Sequence, residues 1–216
     1  MIQSGKFESP DMNMREIINL TLNFVAKRLS EIIGILISLA GLILFISLIS
    51  YSPDDPNFIF PENVEIKNLL GFRGSYISDL FFQSLGLVSF LFSFTLIFTG
   101  IKMIISKNFF LIIENLFYSI LYLIFGSLFF SYFYNTAFAL FINGNGGFVG
   151  TYLSENIFNN LIIINESLSY YLIIALISVF FLLSINFNAK KFYNFLKKIS
   201  SSLNKKKTTI KTIRIL

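Results

Sequence analysis

From Ile32 to Ser50 the chain carries no charged side chain, which as a helix spans about 28 Å at roughly 1.5 Å per residue. Three further apolar stretches follow, at Leu80–Ile101, Phe109–Phe133 and Leu168–Ile185. Only 13% of the residues are charged and 55% are hydrophobic, whereas soluble domains carry about 25% charged residues. A soluble fold of 216 residues cannot cover so much apolar side chain, because a large part of its surface must face water. The pattern predicts an all-α integral membrane domain with four transmembrane helices, over about 32–50, 80–103, 109–133 and 168–185. On that reading residues 1–31 are a polar cytoplasmic segment, 32–185 the membrane domain, and 186–216 a basic cytoplasmic tail leading to a linker. No cleavable signal-peptide pattern precedes the first span, so that span is expected to be retained.

Charge sets the expected orientation. The segments before span one, between spans two and three, and after span four hold 4, 2 and 9 of the 17 Lys/Arg, and the other two loops hold 2 and 0. By the positive-inside rule both termini are expected in the cytoplasm, with the 51–75 and 134–166 loops outside. The tail carries Lys190, Lys191, Lys197 and Lys198 among Phe187, Phe192, Tyr193, Phe195, Leu196 and Ile199. Such a basic amphipathic segment suits the anionic inner leaflet, so membrane lipids are expected partners and direct nucleic-acid binding is not expected.

Several chemistries are excluded by residue type. The chain has no Cys and no His, which removes disulfides, thiolate or imidazole metal sites and Ser-His-Asp triads. Its only Gly-Lys pair, Gly5-Lys6, does not end a phosphate-binding loop. No catalytic residue, metal or cofactor is expected, and the chain is read as non-enzymatic.

An internal repeat organises the loops. Gly71-Phe72-Arg73-Gly74-Ser75-Tyr76-Ile77-Ser78-Asp79 returns as Gly147-Phe148-Val149-Gly150-Thr151-Tyr152-Leu153-Ser154-Glu155, 76 residues later and identical at five of nine positions. Both copies lie between an odd span and the following even one. A duplicated helical hairpin, with parallel repeats about an axis along the membrane normal, accounts for this. The stretches after each glycine pair carry apolar residues at helical spacing: Ile77, Leu80, Phe81 and Leu85, then Leu153, Ile157, Phe158 and Leu161. Each is expected to be a short periplasmic interfacial helix or the first turns of the next span; Asn165-Glu166-Ser167 favours the interfacial reading for the second copy.

Three polar features carry a functional and a bland reading. Glu114 lies inside span three, where an acid is a functional candidate, but it is close enough to the end to snorkel or to pair with Lys107. Asp54 and Asp55 are adjacent carboxylates between Pro53 and Pro56, and are expected to form a solvated turn held by its prolines. The glycines Gly71, Gly74, Gly147 and Gly150 are expected to serve turn geometry and packing.

The turn Ser52-Pro53-Asp54-Asp55-Pro56, directly after the first span, resembles the corresponding segment of FtsK/SpoIIIE-type DNA translocases. Asn68-Leu69-Leu70-Gly71 with Gly74 and Asp79 resembles that family's entry into span two, and Gly146-Gly147 with Gly150 its entry into span four. The likeness covers about residues 25–187. It implies the amino-terminal, four-span membrane domain of a cell-division DNA translocase, acting in chromosome segregation. Such a domain would anchor and assemble the protein at the septal inner membrane, contact other division proteins and form a homo-oligomer, a hexamer by resemblance. In that family a cytoplasmic linker, a RecA-like motor and a winged helix follow. Neither motor nor winged helix is present before Leu216, so a truncated or separately encoded fragment is expected. The alternatives are a small polytopic carrier or channel, which converging polar residues between spans would favour, and a membrane-protein assembly factor with a hydrophilic groove.

Overall fold

A computed structural model describes residues 14–56, 65–135, 143–190, 192–194 and 197 of the chain. Lys6, Glu8 and Asp11, the Pro61-Glu62 part of the loop and most of the basic tail fall outside them. The described residues up to Ile185 form one unit and those from Asn186 on a second. In the second, the described residues from 189 to 197 are helical, and Phe187 stacks 5.3 Å from Phe192.

The first unit is built from α1 (Met14–Ile49), α2 (Gly71–Leu85), a 3₁₀ turn at Gly86–Val88, α3 (Ser89–Ser106), α4 (Leu111–Phe133), α5 (Gly147–Leu153), a π-helical stretch at Ser154–Phe158, α6 (Asn159–Ile164) and α7 (Glu166–Ser184). No strand occurs among the described residues. Four helical segments are long and apolar enough to cross a membrane: Met14–Ile49, Gly71–Ser106, Leu111–Phe133 and Glu166–Ser184. Apolar side chains such as Leu36 and Leu39 of α1, Phe117 and Ile120 of α4, and Leu172 and Val179 of α7 are exposed. In water that would be a liability; in lipid it is the ordinary outer surface of a span.

Since lipid is as apolar as leucine, burial of apolar area does not drive these helices together, and close packing and interhelical hydrogen bonds must do so. The closest packing joins α1 to α3. A Cβ on Gly100 would lie 2.4 Å from the Gly34 carbonyl oxygen and 2.6 Å from the Ser38 amide nitrogen. A Cβ on Gly41 would lie 2.8 Å from the Ile97 nitrogen. Ser30, Gly34, Ser38 and Gly41 thus form a small-residue stripe along one face of α1, against which α3 lies backbone to backbone.

Hydrogen bonds join the other spans. Thr95 on α3 bonds the Tyr122 hydroxyl at 2.9 Å and the Ser184 hydroxyl at 3.0 Å, tying α3, α4 and α7. One turn further along, Asn115 Nδ2 on α4 donates to Thr99 Oγ1 at 2.8 Å. These polar side chains do converge between spans, as a carrier would require, but they do so by bonding one another. The adjoining cleft of about 180 Å³, between α1, α3 and α4, is otherwise lined by Ile37, Leu96, Ile112 and Leu116.

The structure differs from the sequence-based expectation at several points. The helix that contains the first span starts at Met14, so it runs on past the 31/32 boundary into the segment expected to be cytoplasmic. Its 36 residues are about 54 Å long, well beyond the roughly 30 Å of a hydrocarbon core. Lys107 does not pair with Glu114; it reaches Glu31 at 3.0 Å, and Glu31 also holds Arg28 at 2.6 Å. Glu114 is exposed in the first turn of α4, where the helix dipole favours a carboxylate. On α2 Ile77, Phe81 and Leu85 pack half-buried against the chain, but the fully buried residues are mostly small or polar. Gly74, Ser75, Ser78, Asp79 and Phe82 are buried, whereas Leu80 is 53% exposed.

Replacing Gly100 by valine puts side-chain atoms against backbone that cannot yield. It is expected to cost at least the ~1–3 kcal/mol of an overpacked core and to lower the thermal unfolding temperature in detergent. Ser106→Val, at the exposed end of the same helix, should leave that temperature nearly unchanged.

Candidate functional site

Among the described residues no group of three or more His, Asp or Glu could hold a metal ion. The residues singled out by sequence gather instead at one end of the bundle, in two knots of polar and glycine residues.

In the first knot Asp55 is the centre. Pro53 and Pro56 bracket a turn in which the Asp55 amide donates to the Ser52 carbonyl at 3.2 Å. The Asp55 carboxylate is 2% exposed and accepts the backbone amides of Lys67 and Asn68, each at 2.8 Å. This corrects the expectation of a solvated aspartate pair. Only Asp54 is solvated, and its partner is the Lys67 ammonium at 2.8 Å, which is held above the usual lysine range by that bond and charge. Asp55 is a clamp closing the chain across residues 56–67. Prolines alone preset the turn; the carboxylate fixes where the loop returns.

Asn68 continues the knot. Its Nδ2 donates to the Ser47 carbonyl at 3.0 Å, and its Oδ1 accepts the Leu70 amide at 3.1 Å. Ser47 Oγ donates to the Gly74 carbonyl, and Ser75 Oγ to the Pro56 carbonyl at 2.6 Å. A Cβ on Gly74 would lie 2.1 Å from Asn68 Oδ1, so the residue must stay small. Tyr51 packs on Phe82 and donates a long bond, 3.4 Å, to the buried carboxylate of Asp79. Burial, and then the neighbouring Asp79 charge, push the Tyr51 hydroxyl up to about 12.

The second knot repeats this local geometry. Gly71 and Gly147 each open a helix at φ +64, a left-handed conformation that side chains resist. Each donates its amide to the carbonyl three residues back, Asn68 at 2.9 Å and Gly144 at 3.2 Å. Ser78 and Ser154, which correspond in the repeat, donate to Ser75 and Thr151, which also correspond, both at 3.0 Å. Gly150 is held small by α4, because a Cβ there would lie 2.1 Å from the Ser127 carbonyl oxygen.

The knots are joined to each other. Ser127 Oγ on α4 donates to the Leu85 carbonyl at 2.8 Å, and the Leu87 amide to the Asn145 carbonyl at 2.9 Å. Asn143 Nδ2 donates to Gln83 at 3.2 Å. A Cβ on Gly86 would lie 2.0 Å from the Asn145 carbonyl oxygen. Sequence reading missed Asn68, Gly86 and Asn145, all buried here. Asn68 stands inside the family-like motif, and Asn145 among the glycines Gly144, Gly146 and Gly147, but nothing local marks either side chain as buried.

Asp55→Asn exchanges an acceptor for a donor facing two backbone amides. It is expected to cost about 1–3 kcal/mol, the penalty of an unsatisfied buried group. Asp54→Asn should change stability by less than about 0.5 kcal/mol, as for an exposed position. Thermal unfolding of both variants in detergent checks the contrast.

Residues 26–197 match the family described as the 4TM region of DNA translocase FtsK/SpoIIIE. A DNA translocase FtsK of Azospirillum brasilense is 33% identical over 90 residues, covering 41% of this chain and 14% of that protein. DNA translocases FtsK of Rickettsia typhi and Rickettsia prowazekii are each 36% identical over 72 residues, 32% of this chain and 10% of theirs. The chain therefore aligns with a small fraction of the length of these curated relatives. No solved structure matches it. With four apolar helices and a match over most of its length, the chain is a multi-pass membrane protein and belongs to the family of four-span membrane regions of FtsK/SpoIIIE DNA translocases.

Proposed function

We propose that this domain anchors a DNA translocase in the inner membrane, brings it to the division septum for chromosome segregation, and helps it assemble as a homo-oligomer. The observation that carries the reading is the match of residues 26–197 to the membrane region of such translocases. The domain's own part is mechanical. It carries no phosphate-binding loop, and ATP-dependent movement of DNA would belong to a motor region of the full-length protein. The knotted end of the bundle is the surface offered to other division proteins, with Asp54, Lys67 and Leu69 exposed on it.

Orientation follows from the distribution of lysine and arginine, which supports cytoplasmic termini and an outward-facing knotted end. Single cysteines at Leu69 and Lys190, both exposed, are expected to part company in intact cells. An impermeant thiol reagent should label Leu69→Cys and leave Lys190→Cys unlabelled. The reverse pattern would invert the domain.

A fusion of the chain to a fluorescent protein should collect at midcell in dividing cells without any motor attached. Gly74→Val, which displaces Asn68, should weaken the midcell signal while membrane insertion persists. A uniform membrane signal from the unaltered, normally expressed fusion would refute the septal reading and favour a carrier, with the bonded seam of Thr95, Tyr122 and Ser184 as its route.

A further inference from the structure

Among the described residues nothing covers the half of α1 that precedes the packed bundle. Every residue from Met14 to Leu29 is exposed, and Ser30 is the first buried one. Arg28, Glu31 and Lys107 form a charged cluster at the same level, and charges of this kind stay out of the hydrocarbon. Residues 14–28 therefore extend about 22 Å beyond the span at roughly 1.5 Å per residue.

This extension is amphipathic. Asn19, Asn23 and Lys27 lie on one side, while Arg15 stands one heptad before Leu22, in line with the apolar side. Ile18, Leu22, Val25 and Leu29 lie on the other, each between 46% and 62% exposed. The apolar side runs on in register through the span as Ile32, Leu36, Leu39, Ile43 and Ile46, all exposed. Successive residues are alternately four and three apart, the 3.5-residue period of a coiled-coil seam. It lies away from the small-residue stripe that packs on α3.

Lipid accounts for exposed apolar residues within the span, but not beyond it. Nor can the extension lie flat on the membrane surface. The helix is unbroken from Met14 to Ile49, and between Met14 and Gly34 it holds no glycine or proline to bend it. What remains is a straight, projecting helix with a continuous apolar seam. All copies of the chain cross the membrane in the same sense, so seams on neighbouring copies meet in parallel and in register. We infer that α1 pairs with α1 of further copies of this chain along Ile18, Leu22, Val25 and Leu29, continuing through Ile32 to Ile46. The nine side chains expose on the order of 800 Å² per copy, the share of one partner in a standard interface; the four beyond the span gain by leaving water, and the five within it by close packing alone. Leucine at three of the four a positions (Leu22, Leu29, Leu36, with Ile43 the fourth) and mainly β-branched residues at d (Ile18, Val25, Ile32, Ile46, with Leu39 the exception) favour more than two strands.

The inference deepens the self-assembly part of the proposed function, and its test reads helix register rather than localisation. The chain is free of cysteine, so single cysteines can be placed at each position from 18 to 29 of the full-length protein. After oxidation in native membranes, disulfide-linked dimer should peak at Ile18→Cys, Leu22→Cys, Val25→Cys and Leu29→Cys. These yields should exceed those at Asn19→Cys, Asn23→Cys and Lys27→Cys at least fivefold. Native sizing of uncrosslinked protein runs alongside, with the double variant Leu22→Asn/Val25→Asn expected to shift toward smaller species. These positions are exposed, so the variants leave the packed bundle intact. Flat yields, or a peak on the asparagine side, in a protein that still sizes as an oligomer would overturn the seam and leave self-assembly standing. A monomer under every condition would overturn both. Modification of the seam cysteines by a lipid-borne reagent without dimer would show that the membrane covers the stripe, and overturn the pairing.

Discussion

The backbone contact between α1 and α3 is the constraint on which the rest of the structure depends. In a medium where leucine gains nothing by leaving lipid for protein, two spans stay together only if they approach closely enough for dispersion to accumulate. Gly34, Gly41 and Gly100 permit that approach, with Ser30 and Ser38 completing the stripe. With α1 and α3 locked, Thr95 and Thr99 of α3 are placed to bond Tyr122, Ser184 and Asn115, which brings in α4 and α7. The bundle is thus assembled from small residues and hydroxyls. The large aliphatics are turned outward to lipid, the inverse of a soluble core.

The same economy governs the end of the bundle. Chain turning back between spans must satisfy its backbone groups where few waters reach. Asp55 and Asn68 do this by accepting amides directly, and Gly71 and Gly147 do it by taking a conformation that closes the turn on itself. Duplication explains why the two turns share a φ value and a serine bond. It does not explain their coupling. Gly86 and Asn145 have no counterpart of the same type 76 residues away, and they are where the copies interlock. The two turns thus form one doubly tied surface.

Much of the architecture was legible in the chain. Charge-free stretches announced four helices, and the repeat announced that two turns would be alike. Less legible was the identity of each buried face. On α2 the eye is drawn to Ile77, Leu80, Phe81 and Leu85; three of these are only half-buried and Leu80 is exposed, while serines and a carboxylate are among the fully buried residues. The usual equation of apolar with buried fails in lipid. The stripe Ser30-Gly34-Ser38-Gly41, spaced four, four and three, was the available signal and carries its meaning only in a membrane protein. Likewise the charges of residues 1–31 concealed an amphipathic helix, because the stretch was read for composition and not for period.

Sequence alone determined the membrane as solvent, the helical class, the number of spans and the repeated pair Gly71 and Gly147, each of which opens a helix at positive φ. These follow from local causes: length without charge, backbone sterics and a duplicated motif. Tertiary structure decided which carboxylate is a clamp and which is solvated. Asp54 and Asp55 are chemically identical neighbours, and only the return of residues 67 and 68 distinguishes them. It decided too that Lys107 answers Glu31 and not Glu114, because α3 ends beside α1. Those pairings depend on residues distant along the chain being brought to within a few ångströms, and no local pattern encodes that distance.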